Sequence, residues 1–129
     1  MPSEVPPLGV LLISGGHARA HYAFVLATSA AALGRKVVFF ATNDGVHALR
    51  AELSSVPGMQ EGEALRRMVG VGTLNELRAA AAELGIRRIV CEAGMRVAGV
   101  DHSMLTAGAE VAGVATFLAE VGEGQIVTL

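Results

Sequence analysis

Short apolar runs alternate with segments of helical periodicity along this chain, and this alternation restricts its fold more than any other feature. Residues 8–13 and 36–41 are nearly continuous apolar runs, and residues 86–90 form a shorter β-branched segment. Such runs are typical of strands that are buried on both faces of a sheet. The segments between them favour helices, so the sequence predicts parallel β-α-β units with helices on both faces of one sheet.

The remaining elements are assigned from periodicity and from helix start and stop signals. We expect helices over 18–33, 73–84, 101–106 and 116–121, a short helix or turn over 95–97, and strands over 110–112 and 125–129. Another short helix places Val46, Leu49 and Leu53 on one face. Thr73 and Glu76 are spaced as a capping box, and Asp101 is positioned to cap the helix that Gly108 closes.

Residues 54–72 are the least regular part of the chain, with four glycines, Pro57 and mixed charges. We expect a loop here with at most one short helix, over 63–69. Its length is unusual for a simple connection. A lid over the site, a contact with a neighbouring subunit and a plain surface loop all fit this pattern.

Length and leader features predict one cytoplasmic domain. The 129 residues correspond to a single domain. Residues 1–7 contain no base and several prolines, so we expect a disordered lead-in and not a secretory signal. The longest apolar segment, 23–33, is shorter than a membrane span and carries Thr28 and Ser29.

Composition excludes several functional classes. The chain is 52% hydrophobic and 17% charged with a net charge of −2, which excludes a disordered chain. Balanced charges and 4% aromatic residues argue against a nucleic-acid partner. A single cysteine excludes an internal disulfide and an all-cysteine metal site. The apolar excess predicts burial of surface against other copies of the chain.

Ligands of open α/β sheets bind beyond the C-terminal ends of the strands, so the loops 14–18, 42–45 and 91–95 define the candidate site. The candidate binding residues in these loops are Ser14, Gly15, Gly16, His17, Asn43, Asp44, Glu92, Ala93, Gly94 and Met95. The amides of 14–16 could hold an anion, although the segment matches neither a dinucleotide fingerprint nor a Walker loop. Those glycines could instead serve packing, and Asn43 or Asp44 could simply cap a helix.

A metal site is a weaker alternative at the same edge. His17 and His21 are four residues apart, which places both imidazoles on one helix face, and Cys91 could complete a zinc site. The competing interpretation makes His17 a polar loop residue and His21 a helix-surface or interface residue. We predict no cofactor.

Four stretches of the sequence together carry a family resemblance: Ser14–His17, the 38–46 strand and acidic turn, the 90–100 strand, cysteine and helix, and 111–129. They resemble the DsrE/DsrF/DsrH family of small sulfur-relay proteins, which includes the TusBCD type. The resemblance implies a three-layer α/β/α fold around a five-stranded, mainly parallel sheet. It also implies homotrimers or hexamers. Residues 92–95 look closer to uncharacterised DsrE-like proteins than to the relay subunits.

Cys91 matches the position that carries sulfur as a persulfide in relay members of the family. A persulfide carrier needs a thiolate, and the amides of Ala93, Gly94 and Met95 would favour that form, with Arg96 one turn further on. A buried structural cysteine is the competing interpretation. A peroxidase is disfavoured because the chain has no second, resolving cysteine.

We therefore predict a sulfur carrier that receives sulfane sulfur on Cys91 and passes it to a partner. The donor and acceptor proteins are not specified by the sequence. One alternative is a non-catalytic oligomeric module that binds a small anion, nucleotide or metal at the strand ends. The other is an oligomeric scaffold with a buried Cys91.

Overall fold

The computed structural model describes residues 5–129, so residues 1–4 of the predicted lead-in lie outside it. Residues 5–7 have no regular secondary structure. The Arg35 guanidinium donates hydrogen bonds to the carbonyl oxygens of Pro6 and Pro7, at 2.9 and 3.5 Å. These bonds attach the described part of the lead-in beside the first strand.

Five strands form one sheet, and every strand pair is parallel. The strands are β1 (Leu8–Leu12), β2 (Val37–Ala41), β3 (Arg87–Cys91), β4 (Glu110–Ala112) and β5 (Gln125–Thr128). Their order across the sheet is β4-β3-β2-β1-β5. The α/β class, the parallel sheet and the five strands are thereby confirmed.

The helices connect these strands. They are α1 (His17–Ala32), α2 (Met59–Met68), α3 (Leu74–Glu83), α4 (Glu92–Ala98) and α5 (Val114–Val121), with 3₁₀ helices over Asn43–Leu49 and His102–Met104. None of the helices among residues 5–129 combines the length and apolar character needed to cross a membrane.

Alternating side chains of the buried strands divide the core into two clusters. Phe39 lies on the α1 face, where its ring stacks on Phe24 of α1 with centroids 4.4 Å apart. Phe40, the next residue, lies on the opposite face and stacks on Phe117 of α5 at 5.1 Å. The period-two geometry of a strand thus gives β2 apolar neighbours on both sides, which explains its continuous apolar sequence.

Both helix caps predicted from the sequence, at Thr73 and at Asp101, are present in the structure. The Thr73 hydroxyl accepts from the Glu76 amide at 3.1 Å, and the Glu76 carboxylate accepts from the Thr73 amide at 2.9 Å. This reciprocal pair starts α3. The Asp101 carboxylate accepts from the Ser103 amide at 2.8 Å.

The irregular segments differ from the expectation. The ten-residue α2 replaces most of the expected loop: the short helix expected over 63–69 begins four residues earlier, at Met59, and ends one residue earlier, at Met68. Met59 and Glu63 face inward, while most of its other side chains are exposed. The predicted helix through Leu53 is instead a 3₁₀ helix that ends at Leu49. Arg50 is extended there and bridges Leu105, which also limits the predicted 101–106 helix to one short turn.

An ion-pair network ties β3, β4 and α5 together near the N-terminal ends of the strands. Arg87 donates to both carboxylate oxygens of Glu110 at 2.7 and 3.0 Å and lies 2.7 Å from Glu120. Lys36 contacts Glu120 at 3.3 Å. Hydrogen bonds from Arg87 hold the pKa of Glu110 and of Glu120 below the usual value, and Lys36 contributes at Glu120.

This ion-pair network predicts that part of the folding stability is lost as the pH falls. A carboxyl group whose pKa is depressed on folding stabilises the folded state above its unfolded pKa of about 4.5, and this contribution is lost as the pH falls through the folded pKa. We expect Arg87→Gln to lower stability near neutral pH and to flatten the fall in stability below about pH 4.5. Urea unfolding at a series of pH values measures both effects.

Arg96→Gln is the matched control. Arg96 pairs with Glu92 at 2.9 Å, but both side chains are largely exposed, so the pair contributes little. Equal pH profiles for Arg87→Gln and the unmodified chain would contradict the assignment.

Candidate functional site

The three loops that follow β1, β2 and β3 meet at the C-terminal edge of the sheet. The Gly45 amide donates to the Ile13 carbonyl at 3.1 Å. A Cβ added to Gly15 would lie 2.8 Å from the Cβ of Asp44, so these two loops are in direct contact. A Cβ added to Gly94 would lie 2.9 Å from the Asn43 amide nitrogen. The structure therefore brings the predicted loops together, and glycines permit their close approach.

Asn43 occupies a backbone conformation that non-glycine residues rarely adopt. Its φ is +50°, the left-handed region that asparagine tolerates better than most residues. It begins the 3₁₀ helix whose N-cap is Thr42, and no side chain caps that helix. The capping role considered for Asn43 or Asp44 is therefore wrong, and Asn43 turns the chain sharply beside Gly94.

Cys91 ends β3 and caps α4 with its own sulfur. The sheet pairs it with Ala112, and its side chain lies on the α5 face of the sheet with Phe40 and Phe117. The thiol is half-buried. Its Sγ accepts a hydrogen bond from the Gly94 amide at 3.4 Å. A backbone N–H is thus already directed at the sulfur, an arrangement that supports negative charge there.

An open cleft of about 360 Å³ lies in front of the sulfur. We call it the Cys91 cleft; it is lined by Cys91, Glu92, Ala93, Arg96, Gly113 and Val114. Arg96 and Glu92 form a solvent-exposed ion pair at 2.9 Å. Met95 points elsewhere: its side chain is buried in the core cluster on the α1 face. Of the predicted residues 92–95, Glu92 and Ala93 line the cleft and Gly94 provides the amide.

His17 begins α1 and is buried, where a polar loop residue was the competing expectation, and His21 is buried within the chain instead of lying on the helix surface. The His17 Nε2 lies 2.7 Å from a Glu63 carboxylate oxygen, and the His21 Nε2 donates to the Gly72 carbonyl at 2.8 Å. Their rings stack with centroids 5.7 Å apart. Contacts with α2 and with the residues that follow it therefore occupy Nε2 of both rings.

The alternative metal set of His17, His21 and Cys91 is wrong. Within residues 5–129, no group of three histidine, cysteine, aspartate or glutamate residues is arranged to hold a metal ion. The physical reason is topological, because the two histidines pack on the α1 side of the sheet while Cys91 opens on the α5 side.

Glu63 is the residue that sequence reasoning missed. Besides its contact with His17, its carboxylate accepts from the amides of Leu74 and Asn75 at 2.6 and 3.0 Å. Burial raises the pKa of this carboxyl. The hydrogen bonds from His17 and from the two amides together lower the pKa by more than burial raises it, so the net pKa is below the usual value. A lone glutamate in a segment expected to be irregular gave no signal of this role.

Comparisons with known proteins agree with this architecture. A model of the DsrE/DsrF-like family matches residues 8–129. The chain is 27% identical, over an alignment of 156 positions, to the uncharacterized protein YrkE of Bacillus subtilis (strain 168), with 98% of each chain covered.

Two solved structures share the fold at low sequence identity. The ychN protein of E. coli superposes with a TM-score of 0.71 at 11% identity, covering 97% of this chain and 100% of that one. The protein of unknown function MTH1491 of Methanobacterium thermoautotrophicum gives 0.66 at 16% identity, with 96% and 99% covered.

The geometry of Cys91 predicts its accessibility. Because the thiol is only partly buried and faces an open cleft, we expect a thiol reagent to modify one cysteine per chain without denaturant, at a rate within about tenfold of a small-molecule thiol. Timed reaction with a chromogenic disulfide, in the presence and absence of urea, makes the measurement. A thiol that reacts only after urea is added would show that the cleft does not admit reagents.

Proposed function

The chain belongs to the DsrE/DsrF-like family, and on this premise we propose that it carries sulfane sulfur as a persulfide on Cys91 and passes it to a partner protein. The observation that carries the proposal is the setting of the thiol. The cysteine lies half-buried at the end of β3, facing the Cys91 cleft, with the Gly94 N–H directed at its sulfur. A structural cysteine needs neither the cleft nor the exposure.

Loading is a thiol–disulfide exchange and needs no external oxidant. The Cys91 thiolate attacks the outer sulfur of a donor persulfide, R–S–SH, and forms a new S–S bond. The bond between the two donor sulfurs breaks, and R–S⁻ leaves with the electron pair. Cys91 then carries –S–SH, and an acceptor thiolate removes the outer sulfur by the same exchange in the next step.

The surroundings of Cys91 suit this exchange. The Gly94 amide donates to the sulfur, so it stabilises the thiolate before attack and again when the sulfur becomes the leaving group. Apolar groups of Ala93, Gly113 and Val114 line much of the cleft. The rim bears the Arg96–Glu92 pair, whose opposite charges leave the entrance without a strong net field. We expect access by both small persulfides and a protein partner's cysteine.

We further propose that the active form is a homotrimer or a hexamer in the cytoplasm. The α5 face of the sheet is covered by one eight-residue helix, and that helix exposes half of the Val114 and Leu118 side chains. Ile126 of β5 is 40% exposed. It pairs with Gly9, which lies against the α5 side chains Phe117 and Val121, so Ile126 is on the same face of the sheet. Apolar surface of this kind is typical of an interface between subunits. A reducing compartment suits an unpaired reactive thiol.

Persulfide loading tests the carrier function directly. After incubation with a persulfide donor, we expect the intact mass of the chain to increase by one sulfur atom, because Cys91 is its single thiol. Cys91→Ser should show no gain while keeping the same oligomeric mass. Equal loading of the serine variant would contradict the proposal, as would an unmodified wild-type chain whose thiol still reacts with small reagents.

The subunit interface has its own test. Leu118→Glu places a charge in the middle of the exposed apolar stripe of α5, and burial of an unpaired charge in an interface costs several kcal/mol. We expect sedimentation velocity at micromolar concentration to show a trimer or hexamer for the wild type and a monomer for this variant. Leu33→Glu is the control, because Leu33 is almost fully exposed at the end of α1. Dissociation by both variants equally, or a monomeric wild type, would contradict the assignment.

A further inference from the structure

Helix α2 is attached to the rest of the protein by very few side chains. Of its ten residues, Met59 and Glu63 alone are buried. Its apolar residues Leu65 and Met68 are instead 54% and 80% exposed. Helices of this length depend on a packed apolar face for most of their stability. The attachment of α2 therefore depends on one methionine and one carboxylate.

Glu63 connects three helices through its carboxylate. It contacts Nε2 of His17, the first residue of α1, at 2.7 Å. It also accepts from the amides of Leu74 and Asn75, the first two residues of α3, and so satisfies two donors that a helix start leaves unpaired. No other residue of α2 makes a side-chain hydrogen bond to another helix in the described part of the chain.

The His17 ring lies directly against the backbone of α2. A Cβ added to Gly62 would lie 2.2 Å from Cγ of the ring and 2.3 Å from Nδ1. Since a carboxylate accepts hydrogen bonds, Nε2 of His17 carries the proton of the bond to Glu63. Nδ1 is buried and has no partner within residues 5–129. The contact is thus close and polar, and its loss would return several groups to water.

Glycines flank α2 on both sides. Gly58, its N-cap, has φ +80°, and Gly70, two residues after the last helical residue, has φ +76°. Glycine moves between positive and negative φ at little cost, so both positions can absorb the rotation of a rigid helix. The chain therefore has a pivot at each end of an element that is held by few contacts.

We propose that α2 is a lid that opens as a unit, and that Glu63 is the latch that holds it closed. Opening breaks the contacts of Glu63 with His17 and with the start of α3. It uncovers the His17 imidazole and widens a cavity of about 400 Å³ whose lining includes Met59, Glu63 and Asn75. His17 directly follows the 14–16 loop of the candidate site, so the lid and that loop share an anchor. This inference does not depend on sulfur chemistry at Cys91.

Hydrogen exchange of the intact chain, read by mass spectrometry, tests the lid. In the wild type we expect the α2 amides to exchange at least tenfold faster than those of β1–β3, with a rate that depends little on low concentrations of urea, as for local opening. Glu63→Gln keeps the size of the side chain but removes its charge. We expect it to speed exchange in α2 and in the first turn of α3 by a further tenfold or more, with β1–β3 unchanged.

The matched control is Glu61→Gln, which removes an exposed carboxylate from the same helix and should change α2 exchange less than twofold. Gly62→Ala is a second probe of the latch. Alanine normally favours a helix over glycine, but here its methyl group would displace the His17 ring, so α2 exchange should rise.

Three outcomes would overturn the proposal. The first is α2 exchange in the wild type that matches the sheet and shares its urea dependence, which would mean that α2 opens only on global unfolding. The second is Glu63→Gln with unchanged exchange in α2. The third is Glu63→Gln with equal acceleration in α2 and β1–β3, which would make Glu63 a general stability residue and not a latch. The wild-type measurement decides the first point even if a variant fails to fold.

Discussion

Burial of the central strands on both faces is the constraint on which the rest of the structure depends. Phe39 and Phe40 are adjacent in β2, yet each is covered by a different helix. Both faces of the sheet must therefore be covered, and parallel pairing is the arrangement in which connecting helices can do this. Parallel pairing in turn brings the C-terminal ends of β1, β2 and β3 to one edge, where the three site loops meet. The position of Cys91 is thus a consequence of how the core is buried.

The two sides of the sheet are covered by different means. On the α1 face, α1 packs on α3 and on strands β1 and β2, while α2 is held by the polar contacts of Glu63. On the α5 face, Phe117 and Val121 are buried, but other apolar side chains of α5 remain exposed. Polar contacts are directional and are lost together when one partner moves, whereas apolar contacts weaken gradually with distance. The α1 face thus combines helices packed through apolar side chains with one helix held mainly by a carboxylate, and the α5 face retains exposed apolar surface.

Much of the fold and the outline of the site could be predicted from the sequence, because both depend on local signals. Continuous apolar runs identified β1 and β2, and the Thr73–Glu76 pair identified the start of α3. The Cys91 position followed from the strand that precedes it. The full extent and the packing of helix α2 could not be found in this way, since its attachment comes from one carboxylate whose partners are 46 and 11 residues away in sequence. Likewise, His17 is buried because Gly62 packs against its ring. The two residues are far apart in sequence, so no local sequence pattern predicts this contact.

The sulfur of Cys91 has one role in the fold, as a helix cap, and a second role in the proposed function. As the N-cap of α4 it accepts the Gly94 amide, a task usually performed by a serine, threonine or aspartate oxygen. A serine here would cap the helix at least as well, so capping alone does not account for a cysteine at this position. Under the proposed carrier function, the same N–H that completes α4 also donates to the sulfur that reacts. The Gly94 amide can reach the sulfur because Gly94 has no side chain and packs closely against Asn43. Asn43 has a left-handed backbone conformation, which turns the chain after the end of β2. The close approach of two loops from neighbouring strands thereby positions the N–H that contacts the single thiol in the chain.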